Sequence, residues 1–314
     1  MTQAQNQIKP NGVNGNVSSG NRSSPGITAY PPRLPRGIPD RQTATVALPF
    51  SKATRMGTWN VRALNQDGKL QNVIQEMKRI NINILGLCET RMKNNGDIKC
   101  DEHRLIYSGG NTHTRGVGIL LDKESAKCVE RYWQLSERVM LVKIKGKPFN
   151  LSIIVVYAPT SDSDEADIDR FYDQLEKAKS QCKSQEVVLV IGDLNAKVGH
   201  GAEGKIKGKY GLGEQNERGE RFVQWCAAKE QVITNTWFQE HPRRLWTWRS
   251  PGGETKNQID YITINQRFRN AVQHCKTYPG ADCGSDHLPV VCKLKIRLKK
   301  LKSKRWNLSY FMRI

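Results

Sequence analysis

The sequence predicts one large α/β domain, a sandwich of two β-sheets with helices outside. Three observations predict it. Short apolar runs rich in Val, Ile and Leu recur across residues 54–298, bounded by Gly, Pro or polar residues, and read as strands. Only a few segments place apolar residues at helical spacing, and they are scattered among the strands. Several strand pairs, among them Met140–Ile144 and Leu151–Tyr157, are joined too closely for a helical crossover, which disfavours an all-parallel doubly wound sheet.

Residues 1–50 are rich in Asn, Gly, Ser and Pro, carry five basic residues against one acidic, and read as a disordered basic arm. Met56–Val61 begins the patterned region as a strand. Leu70, Val73, Ile74 and Met77 then predict an amphipathic helix over 69–80. Ile82–Leu87 is a strand that ends in Cys88-Glu89-Thr90, and Arg115–Leu121 is another, with Gly116 and Gly118 where backbone can approach closely. Met140–Ile144 and Leu151–Tyr157 flank a turn at Gly146-Lys147-Pro148. Ile168, Phe171, Tyr172 and Leu175 mark a helix. Val187–Ile191 is a buried strand that runs into Gly192-Asp193-Leu194-Asn195-Ala196. The Gly-rich stretch 199–216 reads as a surface loop. Phe222, Val223 and Cys226 mark a helix, Val232–Asn235 a strand and Gln258–Ile264 another. Val290–Leu298 alternates apolar and basic residues, as a half-exposed final strand does, and a basic tail fills 299–314.

Composition narrows the partners. The 314 residues carry a net charge of +20, which points to a polyanion held through phosphate neutralisation. An acidic membrane surface is the competitor, but no basic amphipathic helix or lipidation signal supports it. No apolar run approaches the ~20 residues of a membrane span. The N-terminus lacks a signal-peptide core, so an intracellular location is expected. The eight cysteines include no CxxC pair, against a zinc site or redox dithiol; Cys88, Cys226 and Cys292 lie in apolar patterns and read as buried thiols.

Polar residues recur where strands end: Asn60, Glu89, Tyr157, Asp193 with Asn195, Asp260, and Ser285-Asp286-His287. Any one of them alone reads as a solvated strand end, a satisfied core histidine or a cap. Together they supply carboxylates and amides suited to a hard cation such as Mg²⁺, with one Tyr and one His able to donate protons beside a phosphate. Those are the parts of a metal-assisted phosphodiester hydrolase.

The segments TWNV, LCET, RGVGI, VYAP, GDLNA, NQIDYI and GSDH, in this order, resemble the endonuclease/exonuclease/phosphatase superfamily over about residues 54–298. TWNVR and Trp246-Thr247-Trp248 are most similar to the apurinic-type endonuclease domains of non-LTR retrotransposons and to host proteins of the craniofacial development protein 2 type. The resemblance implies a four-layered, DNase I-like α/β sandwich of two mixed, mostly antiparallel sheets flanked by helices. It implies a Mg²⁺-dependent DNA endonuclease, with Mn²⁺ as substitute, that leaves a 3′-hydroxyl. Glu89 is then the principal metal ligand, with Asn60 beside it and Asp286 available to the same or a second ion. Asp193 activates water, Asn195 binds the scissile phosphate, and Tyr157 and His287 hydrogen-bond it, His287 being oriented by Asp260. The pattern departs at Arg62, where cellular abasic-site enzymes carry an acid, which weakens specific abasic-site cleavage and a second metal position. Lys304-Arg305-Trp306-Asn307-Leu308 resembles the junction that leads to a reverse transcriptase in complete elements, and no polymerase is expected in this chain.

Duplex DNA is the expected partner, with RNA the other polyanion, and the nucleus the expected location. A catalytically idle nucleic-acid- or chromatin-binding protein is the rival reading. A small-substrate phosphatase is disfavoured by the charge. The basic run Lys293, Lys295, Arg297, Lys299, Lys300, Lys302, Lys304 and Arg305 reads as a charged edge strand that also meets phosphates, with a nuclear localisation signal as the alternative. One of Trp246 and Trp248 is a candidate to pack on the duplex.

Overall fold

The computed structural model describes residues 37–39 and 46–297, all within the compact unit Arg33–Ile314. Most of the predicted arm and all of 298–314 lie outside them.

Two seven-stranded sheets form the sandwich. The first runs, in spatial order, through Ile38–Pro39, Val129–Gln134, Val139–Ile144, Leu151–Tyr157, Val187–Asp193, Asp260–Asn265 and Gln231–Ile233. The second runs through Val272–Thr277, Val290–Leu294, Thr54–Asn60, Ile84–Cys88, Val117–Leu121, His103–Ser108 and Asn95–Cys100. Each sheet has one parallel pair, Leu151–Tyr157 with Val187–Asp193 and Thr54–Asn60 with Ile84–Cys88; the other pairs are antiparallel.

Three apolar clusters make this a four-layered molecule. Between the sheets, Ile84, Ile119 and Leu121 meet Val142, Ile153, Leu189 and Ile262. Strand period 2 sends the intervening residues, Val188, Val190 and Ile154, outward, where helices α2 (Glu165–Ser180) and α3 (Glu217–Ala228) cover them with Phe171, Leu175, Phe222 and Val223. On the other outer face Val73, Ile74 and Met77 of α1 (Lys69–Ile80) cover Leu85, Leu87 and Leu120. The helix predicted over 69–80 has those bounds. Asp164 and Asn216 cap α2 and α3, each accepting a backbone N–H three residues on.

Two expectations need correction. Val290–Leu294 is not at an edge: it is hydrogen-bonded by Thr54–Asn60 on one side and Val272–Thr277 on the other. The strand Val272–Thr277, whose QHCK alternation carries too little apolar signal to be read, takes the edge, so the charges of Lys293 and Lys295 do not protect one. Val232–Asn235 is a strand only to Ile233, and Thr234–Thr236 turns as a 3₁₀ segment. The stretch 199–216 is an irregular loop, most of it exposed or half-exposed, and it is pinned from inside: Lys207 is buried and its Nζ donates to Val198 O and Gln215 Oε1, both at 2.8 Å. The paired structure also begins ahead of Thr54, because Leu48–Pro49 pairs with Gly146–Lys147 and Phe50 is buried.

Candidate active site

Strand register brings the polar strand ends together. In the first sheet Tyr157, Asp193 and Asp260 are direct neighbours on three adjacent strands, since Asp193 pairs with Tyr157 on one side and Asp260 on the other. In the second, Asn60 pairs with Cys88, the residue before Glu89. His287 precedes Val290–Leu294, which runs antiparallel to the Asn60 strand. The two sets of ends meet across the sandwich. Arg62, Glu89 and Asn195 reach it in left-handed backbone conformation, at φ of 44°, 51° and 47°. Such backbone strain at non-glycine residues, costing on the order of 1–3 kcal/mol each, concentrates at functional sites.

Asn60 is the bridge between the sheets. It is buried, and its Nδ2 donates to Glu89 Oε1 at 2.9 Å and to Asp193 Oδ2 at 3.0 Å. Glu89 also accepts from the Tyr157 hydroxyl at 3.2 Å and from Arg91 Nη2 at 2.9 Å. Burial opposes ionisation of Glu89, but Asn60, the Arg91 hydrogen bond and charge, and Tyr157 outweigh it and hold the carboxyl below its usual range. Tyr157 is pushed far up by burial and then by the Glu89 and Asp193 charges, so its hydroxyl keeps its proton and can donate. The Arg138 guanidinium lies 5.4 Å from the Tyr157 ring centre and donates to Tyr157 O at 3.1 Å, which fixes the ring from behind.

Asp260 and His287 form a buried pair, Nδ1 donating to Oδ2 at 2.9 Å. Burial lowers the proton affinity of His287, but the charge and hydrogen bond of Asp260, then Asp193, carry it up to about 9. Burial and the Asp260 charge push Asp193 up to about 7, against His287 and the hydrogen bonds from Asn60 and Asn195. His287 Nε2 stands 3.9 Å from Asp193 Oδ2, too far for a hydrogen bond. Asn195 donates its N–H to Asp193 Oδ1 at 3.0 Å and its amide to Ala158 O at 2.9 Å. Asp286 accepts from Arg62 Nη1 at 3.0 Å and Trp248 Nε1 at 3.1 Å on one oxygen, while its Oδ1 is buried without a partner.

A cavity of about 570 Å³ opens here, lined by Glu89, Tyr157, Asp193, Asn195, Asp286 and His287, with Arg62, Arg91, Lys197 and Trp248 at its walls. A larger cavity of about 790 Å³, around Asp97, Lys99, His103 and Lys123, contains none of these residues. All eight residues singled out from the sequence sit in or directly behind the smaller cavity: Asn60 and Asp260 supply its buried back wall.

The donor set suits a divalent cation. Glu89, Asn60 and Asp286 offer hard oxygens, and the unpartnered Oδ1 of Asp286 is a free acceptor. Asp193, Asp260 and His287 also lie within 4.8 Å of one another and are a second group with the donors for an ion, in which His287 Nδ1 is hydrogen-bonded to Asp260 and Nε2 is left open.

Sequence reasoning missed several supports. Thr247, between the two tryptophans, accepts the N–H groups of Ile259 and Asp260 at 3.0 and 3.1 Å and so pins the Asp260 backbone. Trp59 donates to His287 O at 2.9 Å, and Ser285 Oγ donates to Asn60 O at 2.7 Å. Their place inside TWN, WTW and GSDH was the available signal. Of the two tryptophans, Trp248 lines the cavity, whereas Trp246 stacks under Lys256 at 5.3 Å.

A sequence model of the Endonuclease/Exonuclease/phosphatase family matches residues 57–287. Craniofacial development protein 2 of Bos taurus is 44% identical over 245 residues, 78% of this chain but 41% of that protein. The chain therefore spans about two fifths of that relative's length. Among solved structures, the AP endonuclease LMAP from Leishmania major superposes with a TM-score of 0.59 at 15% identity, covering 79% of this chain and 89% of that one. The endonuclease domain of TRAS1, a telomere-specific non-LTR retrotransposon, gives 0.57 at 13% identity, covering 78% and 99%. At these identities the likeness is one of fold.

Proposed function

The chain belongs to the endonuclease/exonuclease/phosphatase family, and from that premise we propose that it is a Mg²⁺- or Mn²⁺-dependent DNA endonuclease of retrotransposon origin. The observation that carries this is the convergence of Asn60, Glu89, Tyr157, Asp193 and the Asp260–His287 pair on one cavity, in a chain of net charge +20.

Glu89 and Asn60 would hold the ion, with Asp286 beside them; when bound, it supplies positive charge to a phosphate oxygen and acts as a Lewis acid. Asp193 accepts a proton from the attacking water, which adds to phosphorus as the P–O3′ bond breaks; the departing O3′ takes a proton from solvent, so one product carries a 3′-hydroxyl and the other a 5′-phosphate. His287, protonated and held by Asp260, donates from Nε2 to a phosphate oxygen. The Tyr157 hydroxyl donates to another, and Asn195 contacts the same phosphate. These donors are fixed before the substrate arrives, so they cost no reorganisation at the moment of reaction. Duplex DNA is the substrate class, and the nucleus the place of action.

Wild type with Mg²⁺ or Mn²⁺ should nick supercoiled plasmid, and Glu89→Ala and His287→Ala should each lower the rate by 10²-fold or more, roughly the cost of removing one preorganised transition-state contact. Undiminished nicking by either folded variant would overturn the roles. One observation favours the idle nucleic-acid binder instead: Glu89 and Asp286 each already carry a guanidinium, from Arg91 and Arg62. Salt-dependent DNA binding without nicking by wild type selects that reading.

A further inference from the structure

We propose that Cys88 is a positioning residue, whose thiol fixes the spacing at which Tyr157 and Asp193 are presented to the substrate. The inference rests on the endonuclease reading for its kinetic consequence but on geometry for its substance.

Cys88 ends the strand Ile84–Cys88 of the second sheet and is buried in the core between the sheets. Its Sγ lies 3.1 Å from Val156 O and 3.4 Å from Asp193 N. Both groups belong to the opposite sheet, on the parallel neighbours Leu151–Tyr157 and Val187–Asp193. A thiol is a weak donor and a weak acceptor at once. Here S–H donates to the Val156 carbonyl while the Asp193 N–H donates to sulfur. One side chain from the second sheet therefore clasps two strand ends of the first.

The clasp falls at a sensitive place. Val156 is the residue before Tyr157, and Asp193 is the site carboxylate itself. Cys88 is also bonded covalently to Glu89. Three residues of the site are thus referenced to one sulfur. The two strands are pinched together at this level: Val156 pairs with Gly192, and a Cβ on Gly192 would stand 1.8 Å from Val156 O. The backbone there has no slack through which Asp193 could be re-aimed without moving Tyr157. If Cys88 only filled volume, any side chain of similar breadth would serve. If it positions, a donor and acceptor are needed at that point.

Cys88→Val and Cys88→Thr separate the two cases, because Val and Thr have the same shape and differ by the hydroxyl. In the Val variant, plasmid-nicking kcat should fall about tenfold with KM for DNA unchanged, and the Asp193 amide should exchange with deuterium faster by a similar factor. The Thr variant should recover most of both. Wild-type kcat and exchange in the Val variant overturn the proposal, as do equal losses in Val and Thr, which mean packing alone. Should the Val variant fail to fold, Cys88→Ser against Cys88→Ala gives the same comparison. If wild type does not nick DNA at all, the endonuclease reading fails, and the amide exchange alone still decides the role of Cys88.

Discussion

The proton held between His287 and Asp260 couples folding to pH. An unfolded histidine loses its proton near 6.5, whereas His287 keeps it to about 9. Its contribution to stability is therefore complete below 6.5 and disappears as pH rises through 9. Asp193 acts in the same direction. Its carboxyl, raised from 3.8 to about 7, resists an ionisation that the unfolded chain undergoes freely, so the folded state loses ground across that interval. The metal-free protein is accordingly expected to be less stable at pH 9.5 than at pH 6, as read by the urea midpoint. Asp260→Asn removes the charge that raises both groups and should flatten the profile; an unchanged slope in that variant would mean that the dependence arises elsewhere. At this scale the sequence was informative about identity and silent about support. Glu89, Asp193 and His287 stood out because charged or titratable groups end apolar strands. The residues that aim them, Thr247, Trp59 and Arg138, act through backbone carbonyls and amides, and no side-chain pattern announces such contacts.

Two glycines set how closely the elements approach, and they should not be equally sensitive. A Cβ on Gly192 would meet the Val156 carbonyl at 1.8 Å, backbone against backbone within one sheet, at φ 154°. A Cβ on Gly86 would meet Ile191 Cδ1 at 2.7 Å across the core, where the obstacle is the end of a flexible side chain. Gly86→Ala should then cost on the order of 1–3 kcal/mol, as overpacking does. Gly192→Ala should cost more and also depress nicking, because the strain sits one residue from Asp193. Equal urea midpoints for the two variants would contradict this ordering. The legibility of the elements follows from the same physics. Helix α1 could be bounded from sequence because its stripe of Val73, Ile74 and Met77 faces a single layer. The strands Asn95–Cys100, His103–Ser108, Val129–Gln134 and Val272–Thr277 could not, because each lies at or next to a sheet edge, where polar residues are tolerated and the apolar alternation is diluted. Missing Val272–Thr277 is what made Val290–Leu294 look like an edge.

For the molecule as a whole, charge governs how the proposed substrate is held. A chain of net charge +20 that binds duplex DNA by neutralising Z phosphates loses affinity with a slope of about −0.9Z in log K against log salt. The fold places Arg62, Arg91 and Lys197 at the cavity walls, but two of these are already paired with Asp286 and Glu89, at 3.0 and 2.9 Å. Their net contribution to the slope should be correspondingly small, since each carries its counter-charge with it. The segment 299–305 is different: Lys299, Lys300, Lys302, Lys304 and Arg305 occur there without an acidic residue among them. Removing 299–314, which takes away Arg313 as well, should therefore flatten the salt slope by up to about 5, that is six contacts at −0.9 each, while leaving kcat unchanged at saturating DNA, because no residue of the site lies in that segment. Fluorescence anisotropy of a labelled duplex between 50 and 200 mM salt measures the slope. A deletion that leaves it unaltered would confine the phosphate contacts to residues before 299, and a loss of kcat at saturation would place part of the reaction's machinery in the tail.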